Sequence, residues 1–221
     1  MKRRGPSDFN IKHTLTVSYT WEIPSPKQSF AALNWVAGGW ELGGILQANT
    51  GVPFTPTIGG DPLGLGNTDP FDFPNYVKGC NPIHGGVNYL NLNCFALPTA
   101  SELPASLAAL CIPFASALPT PAPATCTNLV GNAGRNSLVG PGLVNFDLSL
   151  FKNNPIRRIS ETFNVQFRVE IFNALNHANF NPPTSNNQIF DGSGALVGGA
   201  GNITGTATTS RQIQFALKFV W

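Results

Sequence analysis

Arg211-Gln-Ile-Gln-Phe-Ala-Leu-Lys-Phe-Val-Trp221 closes the chain. Ile213, Phe215, Leu217, Phe219 and Trp221 recur at every second position, and Gln212, Gln214, Ala216, Lys218 and Val220 fill the gaps. A period of two with one apolar face is that of a β-strand, because successive side chains point to opposite faces of the pleat. The strand ends on its largest aromatic, at a terminus, where most soluble domains lose order. A strand of an outer-membrane β-barrel carries this pattern, with lipid outside, a polar lumen inside and an aromatic at the interface.

The same alternation recurs upstream. Phe163, Val165, Phe167, Val169 and Ile171 share one face of a strand expected over 161–173, and Val144, Phe146, Leu148 and Leu150 share one face over 143–152. Leu15, Val17, Tyr19, Trp21 and Ile23 do so over 13–24. A looser strand over 39–51 sets Trp40, Leu42, Leu46 and Ala48 against Glu41, Gln47 and Asn49, with Gly43 and Gly44 marking a bend or a close approach. Together with 210–221, this predicts five strands of about 10–13 residues, against about 5–6 for a globular strand. At about 3.3 Å per residue they reach roughly 33–43 Å, enough to cross a bilayer at a tilt near 45°.

Short links (25–38 and 153–160) alternate with long ones (52–142 and 174–209). Barrels of this kind place short turns in the periplasm and long loops outside. Tyr19, Trp21, Trp35, Trp40, Phe151 and Phe163, with Phe219 and Trp221, then fall at the periplasmic edge. Amphipathic rings gather at bilayer interfaces. A secreted β-sandwich would explain the alternation, but not the strand length or this girdle. The expected fold is therefore all-β: an antiparallel transmembrane barrel fragment, the last five or so strands of a larger barrel, with long extracellular loops. Five strands leave open edges that hydrocarbon cannot satisfy, so further strands must complete the wall.

Composition narrows the function. Charged residues make up 11% and the formal net charge is +2. Lys2-Arg3-Arg4 and Arg157-Arg158 are short solvated runs, so no nucleic-acid partner is expected. No apolar run reaches the 18 residues of a transmembrane helix; the best, Leu103 to Leu118, is cut by Pro104 and Pro113. After Met1-Lys-Arg-Arg comes Gly5-Pro-Ser-Asp where a signal peptide would have its apolar core. The chain is accordingly expected to be the C-terminal part of something longer.

All four cysteines, Cys80, Cys94, Cys111 and Cys126, lie in the first long link. An even count in an exported loop suggests disulfides restraining a segment without its own core. Sequential pairing, Cys80–Cys94 and Cys111–Cys126, is the one expected among the three possible connectivities. Their spacing is unlike the close pairs of a structural zinc site, and only His84, four residues after Cys80, has metal-like spacing. His13 and His177 read as rim residues. Gly64-Leu-Gly66 lacks the strand-to-helix context of a nucleotide loop, and Pro98–Pro123 is a low-complexity surface stretch.

Asp147, Arg168 and Glu170 are the mid-strand charges of the polar faces, with Glu41 near a strand start. A link centred near residue 157 would set Asp147 opposite Arg168, a register-pinning pair worth about 0.2–1 kcal/mol. No nucleophile–base–acid set is recognised, so neither an enzyme nor a cofactor is expected.

Several stretches carry a resemblance. They are Gly5-Pro-Ser-Asp-Phe9 with Ile11-Lys-His13; Gly39-Trp-Glu-Leu-Gly-Gly-Ile45 leading to Thr50-Gly-Val-Pro-Phe-Thr-Pro56; and Gly131-Asn-Ala-Gly-Arg-Asn-Ser-Leu-Val-Gly-Pro-Gly142. Further on come Phe146-Asp-Leu-Ser-Leu-Phe-Lys152, Phe167-Arg-Val-Glu-Ile-Phe-Asn-Ala-Leu-Asn-His-Ala-Asn-Phe180 and Arg211 to Lys218. Taken together these resemble the C-terminal end of an Oar-like TonB-dependent transporter, in the carboxypeptidase-regulatory-domain group common in Acidobacteria. The resemblance implies a 22-stranded outer-membrane barrel, filled by a plug and energised through TonB, both contributed by segments N-terminal to this one. It also implies that Phe215, Leu217, Phe219 and Trp221 form the signal read by the barrel-assembly machinery, with Trp221 where such families more often end in Phe. Active uptake is the function expected on this basis. The other class is a surface adhesion or structural protein that binds through its long loops.

Overall fold

A computed structural model describes residues 5–25, 31–64, 66, 72–115 and 125–221. The Lys2-Arg3-Arg4 run, Leu65 and residues 116–123 of the Pro98–Pro123 stretch lie outside the described residues. In chain order the elements are β1 (Thr14–Glu22), α1 (Ala31–Ala37), β2 (Trp40–Asn49), β3 (Pro53–Phe54), β4 (Thr57–Ile58), β5 (Asn75–Tyr76), β6 (Phe95–Ala96), β7 (Leu138–Val139), β8 (Leu143–Pro155), β9 (Asn164–Phe172), β10 (Gln188–Phe190) and β11 (Gln212–Val220), with three short 3₁₀ turns. No described helix is long and apolar enough to cross a membrane. The chain divides into a sheet unit (residues 12–50, 142–180 and 206–221) and a loop unit (1–11, 51–141 and 181–205).

The sheet unit is one antiparallel sheet in the order β1-β2-β8-β9-β11. Register sorts its side chains into two faces. Trp21 pairs with Leu42, Leu42 with Leu150, Leu150 with Val169 and Val169 with Phe215, so one apolar surface runs across all five strands. The opposite face carries Thr20, Gly43, Ser149, Glu170 and Gln214 in the same rows. Tyr19 lies across Gly44, where a Cβ would meet its ring at 2.7 Å. Glycine there is thus a close approach rather than a bend.

Exposure is inverted relative to a soluble sheet. Leu217 is 56% and Phe215 70% exposed, whereas the buried apolar side chains, such as Ile58 (1%) and Ile189 (0%), lie mainly in the loop unit. An apolar sheet face left uncovered by protein needs another apolar solvent, and the free edges of β1 and β11 need partner strands.

The loop unit contradicts the expectation of a coreless loop. Phe54, Ile58, Phe73, Leu90, Phe95, Leu138, Ile189 and Phe190 are buried in it. Neither long link supplies this core alone: β10, from the second link, pairs in parallel with β4 from the first, setting Phe190 beside Ile58. Two more small antiparallel ladders, β3–β7 and β5–β6, complete the framework. Disulfides Cys80–Cys94 and Cys111–Cys126 close loops with sequence separations of 14 and 15 residues. They add to a core here rather than substituting for one.

Candidate functional site

Three motifs far apart in sequence meet in the loop unit. Asn136 takes the left-handed conformation, φ 54°, which Asn tolerates better than most residues. It is 5% exposed. Its amide nitrogen donates to the Pro6 carbonyl at 2.7 Å and to Asp8 Oδ1 at 2.6 Å. Its Oδ1 accepts from Thr55 Oγ1 at 3.1 Å, and its backbone N–H donates to the same hydroxyl oxygen at 2.9 Å. Arg135 Nη2 pairs with Asp8 Oδ2 at 3.0 Å. The Asn136 amide, with Arg135 behind it, holds the Asp8 carboxyl below its usual range.

This knot borders a cavity of ≈ 430 Å³, whose apolar wall includes Val52, Phe54 and Phe73 and whose polar wall includes Arg135, Thr184 and Asn187. A volume of this order suits a small ligand that offers an apolar face and hydrogen-bonding groups together. Elsewhere in the unit, Asp72 is 5% exposed and its Oδ1 has no partner. Burial, and secondarily the charge of Asp61, push its carboxyl up to about 6.

On the polar face of the sheet unit, a second cavity of ≈ 390 Å³ is lined by Asn145, Asp147, Phe172, Asn173, Gln212 and Gln214, among others. It lies toward the strand ends that carry the long links. Asp147 Oδ1 accepts from the Asn173 N–H at 2.8 Å and from Asn145 Nδ2 at 2.9 Å. Asn173, at φ 48° and 3% exposed, donates in turn to the carbonyls of His177 and Thr209. Asn179, fully buried, accepts from the Val144 N–H at 2.7 Å and donates to Thr208 Oγ1. His177 Nδ1 lies 3.0 Å from Asn179 Oδ1, so this rim histidine belongs to the same hydrogen-bonded cluster. Asparagines of the Phe167–Phe180 motif thus bind the strand ends together.

Asp147, Arg168 and Glu170 all lie on the polar face, but the expected Asp147–Arg168 pair is not formed. Arg168 faces Phe151, four residues further along β8, with its guanidinium 4.9 Å from the ring centroid. The cause is the link: β8 continues to Pro155 and β9 starts at Asn164, so the turn sits further along the chain than residue 157. A slip by an even number of residues leaves every side chain on its face and changes only its partner. Arg168 Nε instead donates to Gln166 Oε1 at 2.5 Å, and Gln166 to Asn153 at 2.8 Å.

Phe151 is also a correction to the aromatic girdle. It sits at the alternate position of β8, paired with Glu41 and Arg168, and therefore on the polar face. Tyr19, Trp21 and Trp40 lie on the apolar face near the short-link end. Trp35 lies on α1, and Phe163 stands in the link just ahead of β9. Phe215, Leu217 and Phe219 occupy the apolar face of β11, and Trp221 follows it, 86% exposed.

An antiparallel sheet with one continuous apolar face, one polar face and two open edges is a section of barrel wall. Residues 1–214 match the family model of an outer membrane beta barrel domain. The chain belongs to that outer-membrane β-barrel family. Comparison with the curated proteins and with the solved structures returns no match. The barrel is not closed by these five strands, and the family places the protein in the bacterial outer membrane. Within this β-barrel, Lys152, Asn136, Asn173 and Asp72 are the residues that sequence reading passed over. Lys152 was legible in principle, since it continues the apolar row Val144, Phe146, Leu148, Leu150.

Proposed function

We propose that this chain is the C-terminal wall and extracellular-loop segment of a TonB-dependent outer-membrane transporter that takes up a small solute. The single observation that carries the reading is the cavity beside Asp8, Thr55 and Asn136. All three belong to stretches that resemble Oar-like transporters, and they surround a space of ≈ 430 Å³ in a loop unit with its own core. The long links lie outside the cell in this reading, and the short links in the periplasm, following the rule for such barrels. The polar cavity at Asp147 and Asn173 supports passage of a polar solute along the lumen wall. The segment binds and conducts rather than catalyses. The plug, the TonB contact and the remaining strands are contributed by other segments, and the barrel-assembly machinery reads Phe215, Leu217, Phe219 and Trp221.

Surface adhesion is the second reading, favoured by the two disulfides that staple the loop unit. The two are separated by comparing solute accumulation in cells with and without the whole protein, before and after a protonophore. Transport predicts accumulation that the protonophore abolishes. Binding at the cell surface that persists without an energised inner membrane would refute transport and support adhesion.

A further inference from the structure

Lys152 is the one charged side chain among the described residues of the apolar face. Register leaves no doubt about its side, since it pairs with Trp40 on β2 and Phe167 on β9. It is nevertheless buried, at 8% exposure. Its ammonium donates to the Trp35 carbonyl at 2.7 Å and to the Gly38 carbonyl. It also lies 5.7 Å from the ring centroids of both Trp35 and Trp40. Trp40 Nε1 adds a hydrogen bond to the Val36 carbonyl at 2.9 Å.

These carbonyls are at, and just past, the C-terminal end of α1, where a helix leaves its own acceptors unpaired. Two side chains from the apolar face therefore cap the helix, and the helix end lies against that face. Gly39 makes the exit from the helix possible. Its φ is 73°, and a Cβ there would meet the Asn153 carbonyl oxygen at 2.4 Å. A lysine in an apolar band is costly unless its charge is met, and here two carbonyls and two aromatic faces meet it. Beyond this anchor the Trp35 and Val36 side chains remain 62% and 56% exposed.

We propose that α1 is an interfacial helix on the outer side of the barrel, seating Trp35 and Val36 among the phospholipids of the periplasmic leaflet, with Lys152 as its positioning residue. The partner is a phospholipid surface because the helix end is continuous with the lipid-facing sheet, and because Trp side chains favour the headgroup boundary. The leaflet rests on the orientation proposed above; the interfacial position does not.

The test is photocrosslinking of the whole protein, with its complete barrel, in bacterial outer membranes. A diazirine amino acid is placed at position 35, at Leu148 on the apolar face as a hydrocarbon control, and at His84 in the loop unit as an aqueous control. Glycerophospholipid adducts are expected at 35 and 148 and not at 84. Lys152→Met should reduce adducts at 35 several-fold while sparing those at 148, and Lys152→Arg should restore them. Adducts at 148 but none at 35 would overturn the proposal, as would adducts at 35 indifferent to Lys152→Met. Lipopolysaccharide adducts at 35 would overturn the orientation and the phospholipid partner together, leaving transport to be judged separately. If Lys152→Met abolishes adducts at 148 as well, the variant has not inserted, and the unsubstituted protein decides by its adducts at 35.

Discussion

Placing an arginine on either face of β11 should have opposite consequences. Leu217 faces Phe167 on the apolar side, five residues from the start of β11 and three from its end. At about 3.3 Å per residue these are roughly 17 and 10 Å along the strand, inside the apolar band rather than at its rim. Leu217→Arg therefore carries the depth-dependent penalty for a cation facing lipid, about 2–4 kcal/mol. Gln214 lies on the other face, directly opposite Glu170. Gln214→Arg gains a cross-strand partner of opposite charge, worth about 0.2–1 kcal/mol. The two variants should thus differ by about 2–5 kcal/mol, a factor of roughly 30 to several thousand in the folded ratio. Urea unfolding of the membrane-inserted whole protein, followed by heat-modifiable gel mobility, reads this difference. Equal damage from both substitutions would mean that both faces are packed against protein, and would refute the assignment of the apolar face to lipid. Gln166→Arg is not a neutral control despite its polar face. Gln166 bonds both Arg168 and Asn153, so a second cation there loses two hydrogen bonds and meets like charge.

Three further outcomes are expected. Asp72→Asn should stabilise the loop unit at neutral pH: with the folded carboxyl raised to about 6, the native state holds its proton more tightly than the unfolded chain. Stability from this group then falls as pH rises from about 4 to 6, by an amount of order 2–3 kcal/mol. Protease resistance of the loops against pH should show that slope in the native protein and lose it in the variant. Replacing Cys80 and Cys94 together by serine should cost about 3 kcal/mol for a closed loop of this length, read as lower protease resistance that reductant does not worsen at that site. Asn136→Ala removes three side-chain hydrogen bonds and puts Ala in a left-handed conformation. At about 1 kcal/mol per bond and 1–2 kcal/mol for the backbone, roughly 4–5 kcal/mol is at stake, and proteolysis between Gly51 and Pro141 on intact cells should rise sharply.

Strand existence and face were legible from the chain because alternation is a local property. Each strand encodes its own two faces without reference to a neighbour, which is why Phe215, Leu217 and Phe219 could be assigned to one side before any partner was known. Partner choice is not local. Moving the β8–β9 turn by a few residues exchanged Asp147 for Phe151 opposite Arg168 without moving any side chain through the sheet. Lys152 was passed over for a related reason. Read alone it is a polar strand end, and only the neighbouring end of α1, with two carbonyls and Trp35 and Trp40, shows why a lysine is held on the apolar side.

Loop segments were the least legible part. Pro- and Gly-rich sequence has no period to read, and the apolar residues of either long link look too sparse for a core. The core exists because β4 and β10, some 130 residues apart, pool what each link holds. The Thr55, Asn136 and Asp8 knot is of the same kind: three short motifs, each weak alone, joined by hydrogen bonds that no spacing rule anticipates. Sequence by itself determined five strands, their two faces and the membrane that the apolar face requires, since those follow from side-chain alternation and the cost of bare backbone in lipid. Tertiary structure alone decided who faces whom, where the loops find a core and what anchors α1, because those depend on long-range closure that no local pattern records.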